Sequence, residues 1–130
     1  MKTIELDETK LPMILEAIPQ RQPIVMLNLL KFRGVTNYAE HSAHEDCSGR
    51  DAYSGRYLKN AVQKIEEIGG AVIYDGDVCV EVIGENVDDW HRIIIVKYPS
   101  IADFMAMVST DEYQALRVHR AAALDDSRLL

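Results

Sequence analysis

The stretch Trp90-His91-Arg92-Ile93-Ile94-Ile95-Val96-Lys97-Tyr98-Pro99-Ser100, continued by Ile101-Ala102-Asp103-Phe104-Met105-Ala106-Met107-Val108-Ser109-Thr110-Asp111-Glu112-Tyr113, decides the fold. Trp90 to Tyr98 is rich in β-branched residues and predicts a strand. Pro99 has no N–H to give a ladder and closes it. Ser100 with Asp103 forms a capping box, so a helix opens at once. Ile101, Phe104, Met105 and Val108 recur at i, i+3, i+4 and i+7, an apolar face at helical spacing. Ser109 with Glu112 reads as another box, so the chain restarts as a second helix from Asp111 to about Ala123. Leu124 to Leu130 then predicts a short edge strand.

Upstream, Ala71 to Ile83 reads as one long strand or a hairpin bent at Asp75-Gly76-Asp77, with Cys79 inside it and a turn over Gly84 to Asp89. Gly69-Gly70 ends a long helix that Ser48 and Asp51 cap at its start. Leu58, Ala61, Val62, Ile65 and Ile68 form its buried stripe. Val35 to Cys47 is a polar loop, and Ile24 to Phe32 is an apolar strand. Leu11, Ile14, Leu15 and Ile18 make a short helix from near Thr9 to Pro19, with Pro12 in its first turn. Without that leading helix the order is βαββαβ, the ferredoxin-like α+β plan of an antiparallel sheet with helices on one face. No linker, repeat or low-complexity segment divides the chain, so residues 1–130 form a single domain.

A sheet covered on one side should alternate apolar and polar residues. Ile93 to Val96, and Ile24 to Leu27 with Leu29 and Leu30, are apolar on both faces. Either the leading helix covers the second face or a second copy does. A helix of about two turns is too small for a four-stranded sheet, so a homodimer by sheet packing is expected.

Composition excludes several classes. The net charge of -7 argues against nucleic acid and against anionic membranes as partners. No apolar segment reaches the roughly 18 residues of a membrane span. Met1 to Glu8 is too acidic and polar for a secretory signal, so the cytoplasm is expected. Cys47 and Cys79 lack a CxxC partner and read as free thiols.

Asn28 interrupts an apolar strand, either for a structural hydrogen bond or as a polar anchor in a cavity. Tyr53 and Tyr57 lie one helical turn apart on a face shared with Arg50, as core-rim residues or as ligand contacts. Trp90 and Tyr98 bracket one strand and point to one side by parity, in packing or at a cavity mouth. Arg117, His119 and Arg120 end a helix, where positive charge suits the dipole. The alternative is that Arg120 fixes an anionic group while His119 moves a proton. His41, His44, Glu45 and Cys47 match no zinc spacing, so neither a metal nor another cofactor is expected. No phosphate loop, dinucleotide fingerprint or nucleophile elbow is present.

Met26-Leu27-Asn28-Leu29-Leu30-Lys31-Phe32, Ser48-Gly49-Arg50 with Tyr53, Gly69-Gly70, and Tyr98-Pro99-Ser100 through Tyr113, His119, Arg120, Ala123 and Leu124 together resemble a bacterial domain family of unknown function. That family belongs with the dimeric α+β barrels. Its relatives include antibiotic-biosynthesis-type monooxygenases, muconolactone isomerase, stress-responsive barrel proteins and haem-degrading monooxygenases. The resemblance implies the dimeric barrel fold and says little about activity, because this superfold hosts many functions; a small-molecule cavity between sheet and helices is expected. As an enzyme the protein is expected to carry out cofactor-independent oxidation or isomerisation of a small organic acid or aromatic; the alternative is a non-catalytic binding or stress-response role. In the enzymatic reading Asn28 holds a carbonyl or enolate oxygen, His119 moves the proton and Arg120 holds the anion. A haem reading rests on Asn28, Trp90 and His119 occurring in the chain order of the haem-degrading relatives.

Overall fold

Strand β1 (Ile24–Phe32) is the hub of the sheet, flanked on both sides by antiparallel neighbours. The computed structural model describes residues 1–87 and 89–130. A 3-10 turn over Glu8–Lys10 leads into α1 (Leu11–Ala17). After β1 and a loop comes one continuous helical body, α2, which is α-helical over Gly49–Asp51, π-helical over Ala52–Leu58 and α-helical again over Lys59–Glu67. Then follow β2 (Ala71–Asp77), β3 (Arg92–Tyr98), α3 (Ile101–Val108), α4 (Asp111–Ala123) and β4 (Leu124–Leu129). The sheet order β2-β3-β1-β4 is that of the ferredoxin-like fold, the protomer fold of the dimeric α+β barrels.

Register assigns the two faces. Leu30 pairs with Arg92 and Ser127, and Asn28 pairs with Ile94 and Leu129. Met26, Leu30, Phe32, Ile94, Val96 and Tyr98 therefore share one side, and all are 8% exposed or less. Against them pack Ala52, Tyr53, Tyr57, Ala61 and Ile65 of α2, Ile101 and Met107 of α3, and Tyr113 and Ala123 of α4. Leu30 and Ile94 are 0% and 1% exposed, so trimming either to alanine costs about 2–5 kcal/mol.

The other face carries Val25, Leu27 and Leu29 of β1, Ile93 and Ile95 of β3, and Tyr74 of β2. Val25 and Tyr74 remain 54% and 52% exposed. The partly buried Ile14 of α1 and Ile18 just after it pack against the helix-side core, so α1 does not cover this face.

Local chemistry explains most boundaries. The Ser48 side chain accepts from the Asp51 N–H and the Ser100 side chain from the Asp103 N–H, as their sequence boxes predict. Gly69 ends α2 with φ of 85°, the left-handed backbone that glycine tolerates. Residues 1–4 run along the outer edge of β4, where the Ser127 N–H donates to Thr3 O at 2.6 Å and the Thr3 hydroxyl to Ser127 O. An otherwise open strand edge is thereby covered.

Four expectations need correction. The strand predicted over Ala71 to Ile83 stops at Asp77, because β3 begins only at Arg92 and offers Val80, Val82 and Ile83 no partner. Those three side chains are 66%, 89% and 92% exposed, and Cys79 lies in the same exposed loop rather than in a strand. No bend occurs at Gly76, which pairs in register with Ile93; the bulge lies between Val72 and Tyr74. Trp90 precedes β3, and its ring packs under the guanidinium of Arg128 at 5.3 Å. Arg128 pairs with Leu29 on the open face, so Trp90 stands on the opposite side from Tyr98. The N-cap of α4 is Thr110, which accepts from the Tyr113 N–H, whereas Ser109 caps the end of α3. Of the turn expected over Gly84 to Asp89, residue 88 lies outside the described residues, while Gly84, Asn86 and Asp89 take φ of 144°, 56° and 51°.

Candidate functional site

Between α4, the π-helical turn of α2 and the covered face of the sheet lies a cluster of one arginine and four tyrosines. Tyr113 and Arg120 are seven residues apart on α4, two turns along one helix face. Tyr53 and Tyr57 both belong to the π-helical segment, a wider turn that is rare and recurs at functional sites. Their rings lie 5.0 Å apart. The Tyr57 and Tyr113 hydroxyls share a buried hydrogen bond of 2.7 Å. Tyr98 enters from β3 with its ring against Phe104 at 5.0 Å. The four tyrosines are 2–9% exposed.

Burial raises the Tyr53, Tyr57 and Tyr98 hydroxyls above the ordinary phenol range, against the pull of the nearby Arg120 charge. At neutral pH they are protonated donors. Burial opposes the charge on Arg120, and the oxygens of Tyr53, Tyr57 and Tyr113 around it more than restore it. Arg120 Nη1 donates to Ile4 O at 2.5 Å. Among the described residues Arg120 makes no ion pair, although every other arginine except Arg21, Arg33 and Arg56 has a carboxylate within 4.0 Å.

Asn28 lies on the same covered face, where its Nδ2 donates to Ile94 O at 3.1 Å. It keeps partial exposure between Met26 and Leu30, which are 8% and 0% exposed. Asn28, Tyr53, Tyr57, Tyr98 and Arg120 thus share one side of the sheet.

The structure does not bring the remaining predicted residues to them. His119 leaves α4 on another side from Arg120, toward the loop after β1. Its Nδ1 is 2.7 Å from the Tyr38 hydroxyl, and its ring meets that of His44 at 4.4 Å. Arg117 faces Glu5 at 3.6 Å. Arg50 pairs with Asp77 at 2.7 Å and stacks on Phe32 at 4.9 Å. It lines a cleft of about 340 Å³ with Ser54, Asp75, Gly76, Asp77 and Arg92, in which Arg92 also holds Asp75 at 2.6 Å, so the charges there are matched. Trp90 stands on the open face. A second cleft of about 310 Å³ lies between Tyr38 and the Arg117–Ala122 side of α4. Neither cleft is lined by Asn28, His119 or Arg120.

Sequence reasoning missed Tyr113 as a site residue, together with Tyr38 and Arg56. The readable signal for Tyr113 was its seven-residue spacing from Arg120. Nothing in the pattern reveals that Ile4 O reaches Arg120, because that contact spans 116 residues.

The model of a family described as a domain of unknown function (DUF1330) matches residues 42–130. A protein of unknown function from Rhodopseudomonas palustris is similar over the whole chain. It shows 28% identity and a TM-score of 0.88, with 100% of this chain and 95% of that one covered. A crystal structure of the methylated form of that protein gives 29% identity and a TM-score of 0.88, covering 99% of this chain and 92% of that one. A hydroxynitrile lyase from Passiflora edulis shares only 11% identity at a TM-score of 0.48, over 85% and 91% of the two chains, too distant to bear on function. No curated protein matches the chain.

Proposed function

We propose that this chain, which belongs to the DUF1330 family, is a homodimer that binds a small organic anion, aromatic or enolic in character, between its helices and its sheet. One observation carries the reading: Arg120 lies among tyrosine hydroxyls with, among the described residues, no carboxylate to answer its charge. A charge removed from water costs several kcal/mol unless it is paired. A bound carboxylate or enolate would supply the missing partner. Tyr53 and Tyr98, protonated by burial, would donate to it, and Asn28 offers an amide on the same face that solvent partly reaches. Aromatic walls with a few convergent polar groups are the usual make-up of such sites.

The arrangement favours binding over catalysis. His119, the proton acceptor an isomerase or monooxygenase reading needs, is turned to Tyr38. The phenols around Arg120 hold their protons too firmly to act as bases at neutral pH. Haem is not supported either, because Trp90, Asn28 and His119 stand in three separate places. The unpaired Cys47 and Cys79 fit a reducing, cytoplasmic setting. Among the described residues no helix is long and apolar enough to cross a membrane.

Calorimetric titration with benzoate and with its neutral analogue benzamide tests the reading. Benzoate should bind at least tenfold more tightly, and Arg120→Met should abolish the difference while the protein stays folded. Equal affinities for the two, or an unchanged preference in Arg120→Met, would refute it.

A further inference from the structure

The loop between β1 and α2 is fastened to α4 by side chains that play no part in the proposed anion site. Its backbone is anchored at the base, where the Asn37 N–H donates to Ala122 O at 2.9 Å and the Thr36 N–H to Cys47 O at 2.8 Å. Beyond that base, the loop holds to the helices through Tyr38. The Tyr38 hydroxyl accepts from Arg56 Nη1 at 3.0 Å and meets His119 Nδ1 at 2.7 Å. The Arg56 side chain stacks on the Tyr38 ring at 5.5 Å and donates again to Glu45 O at 2.7 Å. The His44 ring closes the cluster edge-on against His119 at 4.4 Å and packs against Tyr38 at 5.2 Å.

Arg56 from α2 and His119 from α4 therefore converge on one phenol oxygen, and His44 from the loop packs its ring against both Tyr38 and His119. Acidic groups also stand around the cluster. Asp46 is bonded to the Thr36 hydroxyl, and Glu5 lies with Arg117 across the neighbouring cleft. The Glu45 main-chain carbonyl accepts from Arg56, and the Glu45 carboxylate charge also acts on Arg56. The Cys47 thiol is also near Arg56. We propose that Tyr38, Arg56, His44 and His119 form an acid-released latch, closed while His119 is neutral, that opens the loop around Tyr38 away from α4 when His119 gains a proton.

The direction of the linkage follows from the cluster. Burial first, then His44 and Arg56, lower the affinity of His119 for a proton below the ordinary histidine value of 6.5. A freed His119 regains the ordinary value, so the open loop binds the proton more tightly than the closed one. Closure is complete above about pH 6.5 and weakens as pH falls from there toward the depressed value of the closed state. One proton changes the closed-to-open ratio by at most about tenfold per pH unit. Because Tyr38 also lines the cleft beside Arg117, release would widen that cleft.

Hydrogen exchange of the chain, corrected for intrinsic rates, tests the latch between pH 7.5 and 5. Protection across residues 38–45 should fall several-fold below pH 6.5, while protection in β1 and β3 stays constant. His119→Gln cannot take up the proton and should remove the pH dependence. Tyr38→Phe, which keeps His119 but loses the shared oxygen, should lower protection already at pH 7.5 and flatten the profile, and it serves if His119→Gln disturbs the loop. A pH-independent loop in the native chain, a native slope retained in either variant, or a His119 pKa of 6.5 or above by NMR would overturn the proposal.

Discussion

Arg120 and His119 are neighbours in the chain and part company in space. Successive helical residues diverge by about 100° around the axis, so one faces the tyrosines and the other the loop. That phase was legible from sequence, and reading both as one site ignored it. Tyr57 and Tyr113 show what was not legible, since they meet only when α2 and α4 are packed together. Their shared hydrogen bond predicts a definite pattern. Tyr57→Phe and Tyr113→Phe should each destabilise the fold by about 1 kcal/mol, because each leaves the partner hydroxyl short of a bond. The double variant should cost less than the sum of the two, since no buried hydroxyl is then left unmatched at that spot. Urea unfolding of the four proteins measures this. Additive losses would show that the two hydroxyls act independently.

At the level of elements, the boundary between α3 and α4 separates a readable pattern from its geometry. Ser109-Thr110 offers two adjacent hydroxyls, and only Ser109 has an acidic residue, Glu112, at the third following position. Only Thr110 has the extended backbone a cap needs, with φ -71° and ψ 152°, while Ser109 is still helical with φ -88° and ψ -7°. Thr110→Ala should therefore cost about 1 kcal/mol. Ser109→Ala should cost little, because its hydroxyl only bonds back to Met105 O, an acceptor the Ser109 N–H already serves. Thermal unfolding distinguishes them, and equal losses would contradict the assignment. All four strands and both helical regions between them were legible, because apolar periodicity and caps are local signals. The overrun of β2 was not avoidable in the same way. Val78, Val80 and Val82 alternate like a strand, but after the single bond from the Val78 N–H to His91 O the late start of β3 gives Val80 and Val82 no strand to pair with. The π-helical turn was equally hidden, since Ala52 to Leu58 carries the same spacing as an α-helix.

Across the whole molecule, the sheet is dressed on one side only. Val25, Leu27, Leu29, Ile93, Ile95 and Tyr74 form a continuous apolar surface, and Val25, Ile73 and Tyr74 are more than half exposed. In the proposed homodimer this surface is the association face, the role that a large exposed apolar patch commonly serves. Two copies joined by it would form a closed isologous pair, and the side chains that break the binary pattern of the strands would then be buried. Leu27 pairs with Ile95 near the centre of the face. Leu27→Asp should leave the protomer fold intact, because the side chain points away from the helix-side core, and should split the pair by burying a charge in it. Sedimentation velocity at micromolar concentration should give twice 14.7 kDa for the native chain and 14.7 kDa for the variant. The native melting temperature should rise with protein concentration and that of Leu27→Asp should not, as mass action requires of an association linked to folding. A native chain that sediments as a monomer would leave the apolar face unexplained by self-association and would remove the homodimer from the proposed function, while the test of Arg120 with benzoate would stand unaffected.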